Sequence, residues 1–325
     1  MSNGLPAREA LTIMFAHVAY RMGDRFTARG TNMKFLEVRT REDYEAAIPD
    51  ADVVVVSGMW RNDLLPKAGK LRFIQSISAG VDQYDKDALR ANGVRLASAQ
   101  GSNERAVAEH AMSLILAMSR QLHLGRDNQH RKLWRGMIGD LGKREDELGG
   151  KTLLIVGMGR IGSRLATLAR AFDMHVIGTK RDPSKGAEAA HEVVADGKLL
   201  DVLPRADYVA LTCPLTPQTE KLVNAAALEA MKPSSFLINV ARGKVVDEPA
   251  LIAALNAGQI AGAGLDVTVE EPLPEASPLW TMPQVLVTPH TAGETRKYED
   301  NVLDLLMENL DRFYRGETTL KNQIV

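Results

Sequence analysis

Short apolar runs alternate along this chain with longer stretches in which apolar residues recur at helical spacing. The short runs predict buried β-strands, and the amphipathic stretches between them predict helices. In chain order, the predicted strands cover residues 12–17, 34–38, 52–57, 72–77, 94–98, 153–156, 175–178, 208–211, 236–239, 263–266 and 285–288. Because strands and helices alternate, the pattern predicts an α/β protein built from doubly wound parallel sheets.

The pattern also indicates where the chain divides into domains. Its 325 residues are too many for one ordinary domain. Residues 103–121 predict a long helix that is apolar nearly all round, so we expect it to be buried between layers or subunits. The last helical stretch, 294–315, is expected to cross back to the first domain. The predicted domains are therefore 1–102 plus 295–325, and 103–294, with a ligand-binding cleft between them.

Composition narrows the class of protein. Hydrophobic residues make up 45% and charged residues 25% of the chain, as in a soluble globular protein. The net charge of −1 gives no reason to expect a nucleic acid partner, and no apolar run is long enough to predict a membrane span. The apolar run near the start is interpreted as a first strand rather than a signal peptide. The single cysteine, Cys213, excludes an intrachain disulfide and favours a cytoplasmic location.

A glycine motif, GMGRIG at 157–162, lies between two apolar runs and opens a helical stretch. Gly157 allows a tight turn, Gly159 lets the backbone approach a phosphate, and Gly162 lets the helix pack close to the strand. The helix N-terminus then presents N–H groups to an anion. The unit predicts a site for the pyrophosphate of a dinucleotide, and a strand-to-helix turn without a ligand is the alternative.

Three polar residues in the second half, Arg242, Glu271 and His290, each follow a predicted strand. Because the carboxyl ends of parallel strands share one edge of a sheet, these side chains are expected to converge at the cofactor. A guanidinium binds a carboxylate or carbonyl oxygen, an imidazole donates a proton when a carbonyl accepts hydride, and a carboxylate orients the imidazole. From spacing alone, solvated surface residues are about equally compatible with the pattern.

Seven segments decide between these interpretations: SAGVDQYD (78–85), AVAEHAMSLILAMSR (106–120), GMGRIG (157–162), CPLTPQT (213–219), NVARGKVVDE (239–248), GLDV…EEPLP (264–274) and TPHTAG (288–293). Together they resemble the D-isomer-specific 2-hydroxyacid dehydrogenase family, from about residue 50 to residue 310. Residues 1–50 match only in their strand–helix pattern. The resemblance implies a flavodoxin-like substrate domain followed by a Rossmann dinucleotide-binding domain.

The resemblance also implies roles for the polar residues. Arg242 would bind the carboxylate and carbonyl of the substrate, and His290 would donate the proton in reduction and accept it in oxidation. Glu271, directly before a proline, would pair with His290, whereas Glu270 is one position early. The backbone N–H groups of the turn formed by Ala79, Gly80 and Val81 would hold the substrate carboxylate.

Other positions correspond to cofactor contacts in the family. Arg160 and Ile161, with the three glycines, would contact the pyrophosphate. The residues expected along the ribose and nicotinamide are Cys213, Pro214, Val240, Ala241, Asp266, Ala292 and Gly293, with Asp266 accepting from the nicotinamide amide. A nucleophilic role for Cys213 is disfavoured, because no His/Asn arrangement supports it. No metal is expected.

The chain departs from the NAD-binding members of the family at Lys180. An acidic residue near this position usually binds the ribose 2′-hydroxyl of NAD. Lys180 and Arg181 would instead attract a 2′-phosphate, and Thr179 is a candidate to add a hydroxyl. Since a charge-assisted hydrogen bond contributes about 1.5–3 kcal/mol, two of them favour NADP(H) over NAD(H) by a hundredfold or more. The alternative is that both cations are solvated and Asp182 binds the ribose of NAD(H).

The substrate is poorly encoded in the sequence. Trp60 and Arg61, in a loop after a strand, are candidates to contact its variable group, although a surface ion pair is as good an explanation for Arg61. Trp134 is a candidate to cap the site from a neighbouring subunit or to anchor its own loop. His110 is interpreted as a hydrogen-bonded histidine between domains rather than a catalyst.

These observations predict an NADPH-dependent 2-oxo acid reductase, reversible as a D-2-hydroxyacid dehydrogenase and acting on a small acid such as glyoxylate or hydroxypyruvate. Phosphoglycerate or a bulkier 2-oxo acid is the alternative substrate. A non-catalytic dinucleotide-sensing protein on the same fold is the alternative from another class. Formate dehydrogenases are disfavoured, because they have Gln where this chain has Glu271. A homodimer is expected from the family and from the apolar helix.

Overall fold

The computed structural model describes residues 4–185 and 189–325. They form two compact units, one from Met1–Asn103 with Glu294–Val325 and one from Glu104–Gly293. The described strands are β1 (Thr12–Ala16), β2 (Lys34–Val38), β3 (Val53–Val56), β4 (Phe73–Ser76), β5 (Arg95–Ala97), β6 (Thr152–Val156), β7 (His175–Lys180), β8 (Glu192–Ala195), β9 (Tyr208–Leu211), β10 (Phe236–Asn239), β11 (Gly262–Leu265) and β12 (Val285–Val287).

The α-helices connect these strands on both faces of the sheets. They are α1 (Met22–Ala28), α2 (Arg41–Ala47), α3 (Lys86–Ala91), α4 (Glu104–Ser119), α5 (Leu122–His130), α6 (Arg160–Ala171), α7 (Leu199–Val202), α8 (Ala225–Ala230), α9 (Glu248–Asn256) and α10 (Tyr298–Tyr314). Among the described residues, no helix is both long enough and apolar enough to span a membrane.

The first unit is a parallel sheet in the order β2-β1-β3-β4-β5. The central strand β3 consists of four valines that are all buried, since helices cover both faces of a sheet wound in this way. On one face, Val302, Leu306 and Leu310 of α10 pack in the cluster that includes Phe15 and Phe73. This strand order is the flavodoxin-like order, as expected from the sequence.

The second unit is a parallel sheet in the order β12-β11-β10-β9-β6-β7-β8. Two apolar clusters form its core, with α8 and α9 contributing to one, and α4 and α6 to the other. The side chain of Leu114 lies close enough to Gly264 that a Cβ there would be 3.2 Å away. The apolar helix predicted over 103–121 is therefore buried against its own sheet. The predicted α/β class with two doubly wound parallel sheets is confirmed.

The strand β8 was absent from the sequence prediction. All four of its residues are only partly buried, so they give neither an apolar run nor a clear alternation. Helix α5 was also missed, because none of its residues is buried and its segment shows no apolar stripe.

Candidate active site

The glycine turn after β6 has a shape that only glycine permits. Gly157 has φ of +103°, and a Cβ there would lie 2.7 Å from the backbone nitrogen of Cys213. A Cβ on Gly162 would overlap the carbonyl oxygen of Gly157, so the first turn of α6 packs directly on the strand end. Both glycines are therefore required by the protein's own backbone.

Gly159 differs from its two neighbours, because a Cβ there would meet no described atom within 4 Å. Its φ of −87° is also accessible to any residue. Gly159 is the N-cap of α6, and no side chain among the described residues caps this end. Open space in front of uncapped N–H groups suits an anionic group such as a pyrophosphate. The residues present fit a dinucleotide at this position.

The end of β7 carries the residues expected at the ribose. Thr179 is buried and its Oγ1 accepts the N–H of Gly157 at 3.3 Å, so its hydroxyl serves the glycine turn. This placement argues against the expected contact of Thr179 with a 2′-phosphate. Lys180 is partly buried and Arg181 is exposed. Asp182 Oδ1 accepts the hydroxyl of Ser184 at 2.6 Å.

The three polar residues expected to act together follow neighbouring strands of the second unit. Arg242 comes after β10, Glu271 after β11 and His290 after β12, and these strands lie side by side. His290 Nδ1 is 2.7 Å from Glu271 Oε2. The other carboxylate oxygen, Oε1, accepts the N–H of Thr268 at 3.1 Å. The carboxylate thus fixes the imidazole ring while itself being held by the backbone.

The pKa of Glu271 is lowered in the folded protein. Burial alone would raise the pKa, but the hydrogen bond to His290, the charge of His290, the N–H of Thr268 and the positive charge of Arg242 outweigh it. Nη1 of Arg242 donates to the carbonyl of Ala241 at 2.8 Å, and this bond holds the guanidinium beside the end of β10. Glu271 is therefore held in its anionic form by these partners.

Gly243 brings the loops after β10 and β11 together and was not singled out from the sequence. A Cβ on Gly243 would overlap the carbonyl of Thr268, so the two backbones touch. Gly243 directly follows Arg242, and Thr268 belongs to the loop that carries Glu271. The signal was present in the sequence as a glycine directly after the candidate arginine.

Asp266 is buried, at 2% exposure, and ties down the loop that carries His290. Its Oδ1 accepts the Thr288 hydroxyl at 2.6 Å and the N–H of Thr291 at 3.0 Å, and its Oδ2 accepts the N–H of Ala292 at 3.0 Å. Its carbonyl accepts the N–H of His290 at 2.8 Å. These bonds hold the loop of His290, and the expected contact of Asp266 with the nicotinamide amide stays a prediction.

The remaining cofactor candidates line the same strand ends. Burial raises the pKa of the Cys213 thiol to about 11, which agrees with a packing role and disfavours a nucleophile. Val240, Ala241 and Ala292 are buried. The other four candidates have accessible surface: Arg160 and Pro214 are exposed, and Ile161 and Gly293 are partly buried.

In the first unit, the turn of Ala79, Gly80 and Val81 follows β4, and all three residues are partly exposed. The two substrate-contact candidates there have partners within their own unit. Trp60 is only 5% exposed, and its Nε1 donates to Asn62 Oδ1 at 2.8 Å, so it anchors its own loop in the core.

Arg61 forms ion pairs with Asp63 and, at 2.7 Å, with Glu45. The surface ion pair considered as the alternative is thus the arrangement found. The structure gives no support to either Trp60 or Arg61 as a substrate contact.

Two further residues singled out from the sequence belong to the second unit. His110 on α4 places Nε2 2.9 Å from the Thr288 hydroxyl. Trp134 is 98% exposed and contributes nothing to the core of its own unit.

Comparison with known proteins agrees with this geometry. Residues 112–292 match the family described as D-isomer specific 2-hydroxyacid dehydrogenase, NAD binding domain. The chain is 35% identical over 309 residues to a glyoxylate/hydroxypyruvate reductase B of Yersinia enterocolitica, covering 94% of this chain and 93% of the relative. It is 34% identical over 293 residues to D-3-phosphoglycerate dehydrogenase of Mycobacterium tuberculosis, covering 88% of this chain and 53% of the relative.

The chain therefore spans about half the length of the phosphoglycerate dehydrogenases that it matches. A solved structure from Aeromonas salmonicida, described as a D-isomer specific 2-hydroxyacid dehydrogenase family protein, is 30% identical with a TM-score of 0.85. That similarity covers 97% of this chain and 99% of the solved one. On the family match and these similarities, the chain belongs to the D-isomer specific 2-hydroxyacid dehydrogenase family.

Proposed function

We propose that this protein transfers hydride reversibly between a nicotinamide dinucleotide and a 2-oxo acid, giving a D-2-hydroxy acid. The observation that carries the proposal is the 2.7 Å pair of His290 and Glu271 on loops beside the strand end that bears Arg242. This set lies in the unit that matches the family's dinucleotide-binding model. This set favours an enzyme over a sensor without catalysis, and the turnover assay described below separates the two.

The nitrogen that transfers the proton is identified by the hydrogen bond between His290 and Glu271. Glu271 accepts a hydrogen bond from Nδ1, so Nε2 is the ring nitrogen that delivers a proton to the carbonyl oxygen of the substrate. The negative charge of Glu271 stabilises the imidazolium before transfer. In the reverse direction, neutral Nε2 accepts the hydroxyl proton. The bound dinucleotide supplies or accepts the hydride.

Arg242 is proposed to bind the substrate by its carboxylate and its carbonyl oxygen, because a guanidinium offers paired donors to two oxygens. In the first unit, the backbone N–H groups of Ala79, Gly80 and Val81 are proposed to bind the substrate carboxylate. Their partial exposure leaves them accessible to an anion.

For the cofactor, we propose a preference for NADP(H), with NAD(H) as the weaker alternative. The support comes from two consecutive cations, Lys180 and Arg181, at the end of β7, where a ribose-binding carboxylate would otherwise stand. One oxygen of Asp182, the other candidate for the ribose, is bonded to Ser184. Thr179 is not assigned to the 2′-phosphate, since its hydroxyl accepts the N–H of Gly157.

For the substrate, we propose a small 2-oxo acid such as glyoxylate or hydroxypyruvate. The relative named for that activity, the glyoxylate/hydroxypyruvate reductase B, matches this chain along 93% of its own length. D-3-phosphoglycerate is the second candidate, because the similarity to phosphoglycerate dehydrogenases is of nearly the same strength. The single cysteine, Cys213, is buried and has no disulfide partner, which is compatible with the cytoplasm as the place of action.

A panel of 2-oxo acids assayed with NADPH and NADH tests the proposal. We expect turnover of glyoxylate or hydroxypyruvate, with the higher kcat/KM for NADPH. Oxidation of D-3-phosphoglycerate with kcat/KM above that of every small acid would select the second candidate. Binding of dinucleotide without turnover of any acid would refute the proposed enzyme and favour a sensor.

We also propose that two copies form a dimer through the second unit. Leu133, Trp134 and Met137, after α5, are exposed and lie in a segment without helix or strand. A groove of about 680 Å³ lies between α5 and residues 279–287, and it includes the exposed ring of Trp280. We call the exposed segment 133–137 the arm. Because the arm and the groove belong to the same chain, a two-fold axis would let each copy insert its arm into the groove of the other.

A further inference from the structure

His290 lies on a segment that packing alone does not hold. Its side chain is 46% exposed, and residues 288–292 lie outside the helices and strands. Its φ of +55° is in the left-handed region, which is unfavourable for a residue with a side chain. Specific hydrogen bonds therefore have to keep His290 in place. Glu271 holds the imidazole ring, and the bonds of Asp266 to residues on both sides of His290 hold the loop backbone that carries it.

The Asp266 carboxylate is linked through one hydroxyl to a second histidine. His110 Nε2 is 2.9 Å from Thr288 Oγ1 and 3.5 Å from Asp266 Oδ1. A threonine hydroxyl has a single proton, and the 2.6 Å bond to Asp266 uses it. The Thr288 oxygen must then accept from His110, which places a proton on Nε2 of His110.

Helix α4 gives this chain of bonds a rigid origin. Ala111, directly after His110, is completely buried, and so is Ile115, one turn further along the helix. The helix packs against β10, β11 and α6. The loop after β12 has no comparable core of its own. The bonds from His110 through Thr288 to Asp266 thus connect a buried helix to the exposed loop of His290, within one unit of the protein.

We propose that His110 and Thr288 are positioning residues for His290. The imidazole of His110 donates to the Thr288 hydroxyl and thereby directs the hydroxyl proton to Asp266, which keeps the loop and the His290 ring in the orientation for proton transfer. This inference rests on the proposed function, in which His290 is the proton donor. It assigns to His110 a role in the reaction that involves no contact with substrate.

Paired substitutions separate positioning from simple stability. Thr288→Val keeps the shape but removes the hydroxyl, and Thr288→Ser keeps the hydroxyl. His110→Leu removes the donor, and His110→Gln places an amide N–H near the position of Nε2. Ser113→Ala, on an exposed part of the same helix, is the control. The rate of hydride transfer per cofactor-bound site is measured in single turnover, with saturating NADPH and the best 2-oxo acid. We expect this rate to fall about tenfold in Thr288→Val and in His110→Leu.

In Thr288→Ser and His110→Gln, the rate of hydride transfer should be within about threefold of the wild-type rate. Ser113→Ala should match the wild type. KM for the acid should change less than twofold, because Arg242 and its bonds are unaltered. A loss of active sites with an unchanged rate per site would show a structural role only and would overturn the proposal. Equal rates for Thr288→Val and Thr288→Ser would overturn it as well.

A second measurement needs no turnover. Hydrogen exchange of the amides of His290, Thr291 and Ala292 should be faster in Thr288→Val and His110→Leu than in their conservative partners and the wild type. Unchanged exchange in all variants would contradict the inference. If the wild type reduces no acid, yet exchange responds in this way, the proposed function fails while the positioning of the loop stands.

Discussion

At the scale of single residues, Glu271 offers the most direct test of the proton chemistry. Glu271→Gln keeps a carbonyl oxygen for His290 but removes the negative charge, and a charge-assisted hydrogen bond is about twice as strong as a neutral one. We expect kcat for 2-oxo acid reduction to fall by roughly ten- to a hundredfold. Glu270→Gln, an exposed neighbour with the same change of charge, is the control and should retain activity.

The contribution of Glu271 to stability should also depend on pH. The pKa of Glu271 is lowered in the folded protein from its ordinary 4.5. The charged form therefore stabilises the fold fully above pH 4.5, and this contribution is lost as pH falls through the lowered pKa. The difference in Tm between the wild type and Glu271→Gln should thus be largest near neutral pH and shrink in acid. A difference that grew on acidification would contradict the assignment.

Cofactor choice is also decided by single side chains. Lys180→Ser should lower the ratio of kcat/KM for NADPH to that for NADH about tenfold, since one charge-assisted bond to a 2′-phosphate contributes about 1.5–3 kcal/mol. Arg181→Ser should act in the same direction, less strongly because Arg181 is more exposed. Lys198→Ser, which removes an exposed cation paired with Asp201, should leave the ratio unchanged. A wild type that prefers NADH would refute this proposal at once.

At the scale of elements, the glycines after β6 separate folding from binding. A Cβ on Gly159 meets no described atom, so Gly159→Ala should change Tm by only a few degrees and raise KM for the dinucleotide at least tenfold. Gly162→Ala should instead lower Tm strongly, because its Cβ would overlap the carbonyl of Gly157. Equal effects of the two substitutions on Tm would contradict this division. Thermal melts and initial rates give both readouts.

How far the sequence predicts these elements depends on burial. β3 and β6 are apolar runs that are nearly or fully buried, so their pattern identifies them, and the rule on parallel strands then places Arg242 and His290 at one edge. The contact of Gly243 with Thr268 gives no periodic pattern of apolar and polar residues in the sequence, so the pattern does not predict it. The pairing of His110 with Thr288 joins residues 178 positions apart, and no local pattern encodes such a bond.

At the scale of the whole molecule, the exposed apolar arm is the feature that a single chain leaves unexplained. Trp134 and Met137 are fully or almost fully exposed, and burying each in a partner's groove would remove a large apolar area from water. Sedimentation velocity at micromolar concentration should give twice the chain mass of 35.5 kDa. The double variant Trp134→Asp, Met137→Asp should sediment as a monomer.

Leu200→Asp supplies the matched control, because Leu200 is an exposed apolar residue of the same unit outside the arm and the groove. It should remain dimeric, which separates the loss of a specific interface from a general effect of added charge. Trp280→Asp, on the groove side, should weaken the dimer as the arm variants do, since the proposed exchange needs both surfaces. If the arm variants dissociate while Trp280→Asp stays dimeric, the arm docks on a surface other than this groove.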